Sequence, residues 1–404
     1  MTLSIKPFKA LRPKTSLLNK VVMPAFDNLK ENELLKIMKN SKWNFLNVIS
    51  PEAFYPGISK SLSKKHSVEH LSSMIDNNIV FLEKKESYYI YRLTKYNKSQ
   101  FGVIASVDIK KNNPLILKHE NILKARSDRI LKTIKNTNLQ VGPVYLSHNS
   151  KTNLKTIYKK ISTKKPIYNF KSSGGTLHSL WKIDDEKNFL HIKENLKKIK
   201  KLYIADGHHR FSSMEKLQAF YTKKNKSNKS VPLLSVIFDQ ADVNILSYNK
   251  LIKFKKFKYE KFIKNLSKNF PSLSIAGFKE PKTRGNVSIY CNKKWHMFNI
   301  RNDKIKKQQK ITDSELIEKL ILKKLLVEKT NHKILNKMHL PGKFGYKVMQ
   351  QKVDKKAADI GFFICPMTMH EIMSVANDNK IVPPKSTFFD PKPADGLITL
   401  LMKE

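Results

Sequence analysis

Near its middle the chain reads Tyr203-Ile204-Ala205-Asp206-Gly207-His208-His209-Arg210. The apolar run Leu202–Ala205 ends at Asp206 and Gly207, a residue pair that is typical of tight turns. A stretch that suits a helix, Met214–Tyr221, follows within a few residues. The pattern predicts a buried strand, a sharp turn and the start of a helix.

The predicted turn carries the chemistry of an anion site. Backbone N–H groups at a helix start point outward and attract anions, and the planar guanidinium of Arg210 suits phosphate. Unperturbed imidazoles titrate near neutral pH, so His208 and His209 are candidate proton carriers, with the carboxylate of Asp206 beside them. A turn whose polar residues only cap the helix is the alternative, but two imidazoles and a guanidinium exceed what a cap requires. We therefore expect phosphate binding together with acid–base chemistry.

Strand-like and helix-like segments alternate along the whole chain. This interleaving predicts an α/β fold, of the mixed α+β kind, with mixed sheets. The 404 residues, 40% of them apolar, suffice for a large core. We expect two regions, 1–245 with the central turn and 246–404 after it. Within them, Trp43–Ile49 alternates as a strand should, and the basic stretch Leu251–Phe270 is typical of a helix.

The formal net charge is +45, from 78 basic and 33 acidic residues. Only seven of the basic residues are Arg and the other 71 are Lys, dispersed along the chain. Dispersed Lys with abundant Asn and Ile is typical of drift on tolerant surfaces, so a nucleic-acid partner is an alternative that we do not favour. Where Lys would serve, this chain uses Lys, and each Arg therefore indicates a need for its planar fork.

Composition also excludes several classes of protein. Cys291 and Cys365 are the only cysteines, too few for a disulfide framework and without the spacing of a metal site. The opening Met1–Pro7 has no apolar core of signal-peptide length, and no run approaches the roughly 18 apolar residues of a membrane span. We expect a soluble, cytoplasmic protein with no membrane partner.

A second group of candidate residues precedes and enters a predicted helix. His119 and Glu120 lie just before it, and Arg126 and Arg129 are spaced to share one helical face. Two of seven arginines this close together favour a functional role, and a structural ion-pair network is the alternative.

A third candidate is the proline-rich loop at 382–393. Lys385 and the hydroxyls of Ser386 and Thr387 could hold an anion there. The loop lacks the glycines of a P-loop, and a rigid structural loop is the alternative.

At these residues the chain resembles the bacterial and archaeal family called domain of unknown function 1015. The central and closing motifs are the most specific parts of the match. The family usually has Pro-Pro-Tyr-Asp where this chain departs from the pattern at Ala25 and Phe26. The resemblance rests on Ile5–Pro13, Pro24–Asp27, His119-Glu120 with Arg129, Ala205–Arg210 and Pro383–Phe389.

The Asp-Gly-His-His-Arg turn is also similar to the phosphate-binding turn of the ParB and sulfiredoxin superfamily, which includes nucleotide-dependent free-serine kinases. This resemblance implies a ParB/sulfiredoxin-like core around the turn and binding of ATP or ADP with Mg²⁺. It implies phosphoryl transfer to a small hydroxyl substrate such as serine. A ParB-like regulator that binds nucleotide and DNA without turnover is the alternative.

Under the kinase hypothesis the candidate residues divide into two sets. Glu120 is the expected general base, with Asp206, His208 and His209 as the other catalytic candidates. A zinc hydrolase that uses His119, His208 and His209 is a third, weaker hypothesis, so we assign no metal ligand. The expected nucleotide-binding residues are His119, Arg126, Arg129, Gly207, Arg210, Lys385, Ser386 and Thr387.

Overall fold

The computed structural model describes residues 2–25, 31–110, 114–225, 230–301, 311–328 and 332–402. Phe26 and Asp27 of the Pro24–Asp27 motif lie outside these residues. The chain separates into two compact units: unit one is Met1–Val243 with Pro391–Glu404, and unit two is Asn244–Asp390. These units differ in one respect from the expected regions 1–245 and 246–404, because the segment Pro391–Glu404 belongs to unit one.

Helices and strands alternate along the described residues. The helices are α1 (Leu18–Val21), α2 (Glu31–Asn40), α3 (Leu46–Ile49), α4 (Lys60–Asp76), α5 (Lys124–Thr137), α6 (Leu154–Ile161), α7 (Glu186–Lys197), α8 (His208–Asn225), α9 (Tyr259–Asn269), α10 (Asp313–Leu316) continued by a π-helix (Ile317–Glu328), α11 (Gly345–Asp354) and α12 (Met369–Asn377). Short 3₁₀ turns lie at Thr15–Leu17, Pro51–Ala53, Gln240–Asp242 and Gly342–Phe344. The strands are β1 (Ile5–Lys6), β2 (Ala10–Pro13), β3 (Val80–Leu82), β4 (Tyr89–Lys95), β5 (Lys98–Ile109), β6 (Ile116–Leu117), β7 (Leu139–Gln140), β8 (Val144–His148), β9 (Tyr168–Lys171), β10 (Leu177–Lys182), β11 (Leu202–Asp206), β12 (Val231–Asp239), β13 (Ile245–Phe254), β14 (Ser274–Ile275), β15 (Asn286–Cys291), β16 (Lys294–Asn299), β17 (Ile334–Pro341), β18 (Ile360–Ile364), β19 (Thr387–Phe389) and β20 (Thr399–Leu401).

The main sheet of unit one has the strand order β6-β11-β8-β12-β5-β4-β10-β9, with β1 paired to β5. The pairs β6–β11 and β8–β12 are parallel and the others are antiparallel, so the predicted mixed α/β sheet is present. Its central strands are apolar on both faces, as strands covered on both sides must be. Val103, Leu146, Ile204 and Ile237 are buried there with Phe211 of α8 in one core.

A smaller antiparallel sheet of unit one has the order β3-β2-β20-β7. Its core includes residues of the segment 43–49, which the sequence pattern assigned wrongly to a strand. The segment instead forms α3, whose residues Leu46, Asn47 and Val48 are all buried, so it lacks the alternation of a half-buried strand. The side chain of Asn44 also accepts a hydrogen bond from the Leu46 N–H at 3.0 Å, a local contact that competes with strand pairing.

The sheet of unit two has the order β14-β16-β15-β18-β13-β17, and β19 pairs with β13. The helix expected over residues 251–270 begins only at Tyr259, because β13 extends to Phe254. Leu251 and Ile252 are buried, and β13 pairs with β17 on one side and β18 on the other. Pairing with these distant strands outweighs the local helical preference.

Two features bear on the expected class of protein. In the portion of the chain that the structure describes, no helix combines the length and the apolar character needed to cross a bilayer.

Cys291 and Cys365 are both reduced, and burial raises the pKa of Cys291 to about 12 and that of Cys365 to about 11. Both thiols are therefore poor nucleophiles at neutral pH.

Candidate functional site

The predicted strand, turn and helix are present at the central motif. β11 ends at Asp206, the backbone of Gly207 has φ +94°, and α8 begins at His208. A positive φ favours glycine because it has no Cβ. The N–H of Phe211 donates to the carbonyl of Gly207 at 3.0 Å, which makes Gly207 the N-cap of α8. The amides of the first helical turn therefore gather at this turn, at the positive end of the helix dipole.

The carboxylate of Asp206 lies between two cations. The ammonium of Lys392 donates a hydrogen bond to it, and Nη2 of Arg210 lies 3.7 Å from Oδ2. Burial alone would raise the pKa of Asp206, but Lys392 and Arg210 outweigh burial and lower it. Asp206 is thus ionised at neutral pH and faces two cations, and its catalytic role stays a prediction.

Arg210 also contacts the segment between β7 and β8. Its Nη1 donates to the carbonyl of Pro143 at 2.9 Å and to Oδ1 of Asp395 at 3.3 Å. Gly142 permits this approach, since a Cβ at residue 142 would lie 1.9 Å from Oδ1 of Asp395 and 2.5 Å from Nη1 of Arg210. The guanidinium is fixed beside the turn by two carboxylates and a carbonyl.

Two buried imidazoles lie next to the turn. His119 and His208 are 1% and 5% exposed, and their ring centroids are 4.6 Å apart in an edge-to-face arrangement. Burial lowers the pKa of His119 to about 4, and burial together with the neighbouring His119 lowers the pKa of His208 well below its usual value. Both rings are therefore neutral at pH 7. Oε2 of Glu120, whose side chain is 42% exposed, lies 3.8 Å from Nδ1 of His208. His209 follows, half-buried, in the first turn of α8.

The two arginines of α5 have different surroundings, although both are exposed. Arg129 lines two neighbouring cavities of unit one, and Arg126 lines neither. We call the first the apolar cavity; its lining includes Ile130, Gln140, Arg210, Met214 and Asp395. We call the second, of about 260 Å³, the basic cavity; its lining includes Glu52, Lys60, Ser63 and Lys132. Both share Ile49, Arg129 and Thr133.

The proline-rich loop holds its candidate residues within unit two. Nζ of Lys385 lies 5.3 Å from the centre of the Tyr248 ring, and the backbone of Lys385 has φ +59°. The hydroxyl of Ser386 donates to the carbonyl of Pro383 at 2.7 Å, and Thr387 begins β19. The contacts given for Lys385 and Ser386 lie inside unit two. The assignment of Lys385, Ser386 and Thr387 to a nucleotide site stays a prediction.

Residues 5–325 match a protein family described as "Protein of unknown function (DUF1015)". The chain belongs to the DUF1015 family. No curated protein matches the sequence. The family resemblance expected from the motifs is thus confirmed, and the family description itself assigns no activity.

Several solved structures share weak similarity with this DUF1015 protein. A free serine kinase mutant in complex with AMP has 14% identity and a TM-score of 0.33, covering 71% of this chain and 87% of its own. A conserved hypothetical protein from Pyrococcus furiosus has 14% identity and a TM-score of 0.31, with coverage of 72% and 94%. SbnI from Staphylococcus aureus, truncated at its C-terminus, has 11% identity and a TM-score of 0.31, with coverage of 68% and 79%. TM-scores this low do not establish a shared function.

Two residues of this site carry no signal in the sequence. Lys392 is one lysine among 71, at the end of the proline-rich loop, and Asp395 is one of 33 acidic residues. Their roles follow from the return of the chain after residue 390, which brings β20 between β2 and β7. The neighbouring Gly396 does give a cue, because a glycine often marks a turn with positive φ, and its backbone has φ +78°.

The described residues of this DUF1015 protein do not form a protein cage for a metal ion. Within the ranges that the structure covers, no three His, Cys, Asp or Glu side chains group closely enough to hold one. His119, His208 and His209 therefore lack the geometry of the zinc hypothesis. Asp206 and Asp395 each face a cation, Lys392 and Arg210 respectively.

Proposed function

We propose that this DUF1015 protein is a phosphotransferase that uses ATP or ADP and acts on a small hydroxyl compound such as serine. The observation that carries the proposal is the glycine-capped start of α8, a helix of 18 residues, held beside a fixed Arg210 and the buried His119–His208 pair. Helix amides and a guanidinium on one turn suit a phosphate group. The neighbouring carboxylate, Glu120, supplies a base.

The charge balance of the turn supports phosphate binding rather than proton abstraction by Asp206. Asp206 and Asp395 offset the charges of Lys392 and Arg210, so the cluster stays fixed without a ligand. A bound phosphate would then meet oriented N–H donors that need little reorganisation, which is the condition for electrostatic stabilisation of a transition state.

Glu120 is the base that we assign to the transfer step. It would accept the proton of the substrate hydroxyl while the hydroxyl oxygen attacks the terminal phosphorus of the nucleotide. The new P–O bond forms as the bond to the leaving nucleotide oxygen breaks, and the negative charge passes to that oxygen. Nδ1 of neutral His208, 3.8 Å from Glu120, can hydrogen-bond the carboxylate or the phosphate.

We place the substrate in the two neighbouring cavities that Arg129 lines. The apolar cavity has Arg210 and Asp395 of the turn network in its lining, and the basic cavity shares Ile49, Arg129 and Thr133 with it. A cavity of about 260 Å³ lined by Arg129, Lys132 and Lys60 suits a small anionic molecule. A carboxylate or phosphate on the substrate would be held there while its hydroxyl faces the turn.

The test compares Glu120→Gln with Glu194→Gln, an exposed residue of α7 that pairs with Lys197. Calorimetry measures ATP and ADP binding, and mass spectrometry measures phosphoserine formed from L-serine. We expect Glu120→Gln to bind nucleotide as the parent does and to lose about 100-fold or more in rate, the usual contribution of a positioned base. Glu194→Gln should match the parent in both.

A parent protein that binds neither nucleotide would overturn the proposal. Duplex DNA binding that persists at physiological salt, without any turnover, would favour the ParB-like alternative instead. An unchanged rate in Glu120→Gln would remove Glu120 from the mechanism and leave the nucleotide site standing.

A further inference from the structure

Helix α4 carries two histidines that the proposed function does not use. His66 and His70 are four residues apart and therefore share one helical face. Their rings are nearly parallel, 17° between planes, with centroids 5.8 Å apart. The Tyr55 ring lies 4.8 Å from His66, and the Trp43 ring lies 5.9 Å from His70.

The outer nitrogens of both rings are buried and unsatisfied. Nε2 of His66 and Nε2 of His70 have no hydrogen-bond partner in the part of the chain that the structure describes. Buried polar atoms without a partner are rare in native proteins, and they call for a specific explanation such as an ion or a water. Two such atoms on adjacent turns of one helix point to a shared ligand.

The tautomer of His70 also suits metal binding. The backbone of Lys42 hydrogen-bonds the His70 ring, and this bond raises the pKa of His70 against the larger lowering caused by burial. A bond that favours the protonated ring is donated by a ring N–H to a carbonyl. Because Nε2 has no partner, Nδ1 is the donor, and Nε2 carries the lone pair. Metal-bound histidines commonly donate their second nitrogen in this way.

We propose that His66 and His70 bind one divalent transition-metal ion, of the Zn²⁺ or Cu²⁺ type, through their Nε2 atoms. Histidines four residues apart on a helix can ligate one ion, with metal–nitrogen distances of about 2.0–2.1 Å. The remaining coordination positions belong to water or an external ligand, since no three-residue ligand group occurs in the described chain. This inference is independent of the proposed phosphotransferase.

The test is a Cu²⁺ titration of the full chain after treatment with a chelator. Bound Cu²⁺ quenches the fluorescence of a tryptophan that it lies beside, and Trp43 is next to His70. We expect saturable quenching with one Cu²⁺ per chain, reversed by excess Zn²⁺. Trp43→Phe should remove the quenching and keep the visible absorption of imidazole-bound copper.

Substitutions identify the ligands. His66→Gln and His70→Gln should each weaken Cu²⁺ binding at least tenfold, and His191→Gln, on the exposed face of α7, should leave it unchanged. Should His70→Gln unfold because it loses the bond to the Lys42 backbone, His66→Gln still decides the question. Parent-like affinity in His66→Gln, or no saturable binding by the parent, would overturn the proposal.

Discussion

His119 and His208 are neutral groups in a highly cationic protein. Burial of both rings disfavours the imidazolium form, and their edge-to-face contact at 4.6 Å would place two charges together if both were protonated. At pH 7 the pair therefore contributes hydrogen bonds and shape to the turn rather than charge. The positive groups beside the turn are therefore Arg210, Lys392 and the amides of α8 rather than the imidazoles.

Protonation of His119 couples stability to pH. Its pKa falls from 6.5 to about 4 in the folded chain, so between these values the unfolded state binds more protons. The free energy of unfolding should therefore decrease as pH falls from 6.5 to about 4, by on the order of 3 kcal/mol from this residue. Urea denaturation across this range measures the slope. His119→Gln should make the slope shallower by the share of this one residue, while the surface variant His191→Gln should leave it unchanged.

Sequence reasoning reached only the local half of the turn network. Asp206 and Arg210 are four residues apart on either side of a turn, so their proximity follows from the motif itself. Lys392 and Asp395 reach the same cluster through tertiary packing, and their residue types are common on this surface. Contacts that depend on such distant partners are not encoded in any short window of sequence.

At the scale of elements, the connection between β7 and β8 depends on a close approach at Gly142. Gly142→Ala should displace Asp395 or Arg210 and lower the free energy of unfolding by about 2 kcal/mol, as overpacking usually does. Nucleotide affinity should fall with it. Gly174→Ala, where a Cβ meets open space, serves as the control and should be neutral or slightly stabilising in urea denaturation. Equal effects of both variants would contradict the packing argument.

Helix α5 offers a matched pair of arginines for testing the two cavities that Arg129 lines. Arg129→Gln removes a charge that lines both of them, and Arg126→Gln removes one from an exposed position that lines neither. We expect Arg129→Gln to raise the KM for an anionic hydroxyl substrate about tenfold with a smaller change in kcat, the pattern of lost ground-state binding. Arg126→Gln should leave this KM unchanged, and its predicted part in nucleotide binding is measured separately by the KM for nucleotide. A similar KM in both variants would place the substrate elsewhere.

Elements with a strong periodic pattern were predictable, and those decided by distant partners were not. The strand, turn and helix at residues 202–225 follow from an apolar run and a glycine turn. Residues 43–49 and 251–254 were assigned to the wrong element, because burial in α3 and pairing in β13 reverse their local preference. The assignment of a short apolar segment therefore depends on which neighbours cover it.

For the whole molecule, the net charge of +45 predicts self-repulsion in the folded state. Raising NaCl from about 10 to 150 mM shortens the screening length from about 30 to 8 Å and should raise the melting temperature, by about 2–4 °C for each kcal/mol of repulsion removed. Thermal melts monitored by circular dichroism measure this. Equal ionic strengths of NaCl and KBr should give equal shifts, and a strong dependence on the anion would indicate specific binding instead.

The position of β20 in the smaller sheet of unit one has a consequence for biosynthesis. β20 lies between β2 and β7, yet residues 244–390 are translated before it. A nascent chain that has emerged only to residue 243 exposes two strand edges without their common neighbour, a state prone to aggregation. At ribosomal rates this interval lasts roughly 10–30 s. Asp206 and Arg210 can contact Lys392 and Asp395 only after residues 391–404 have been translated, so the turn network is completed last.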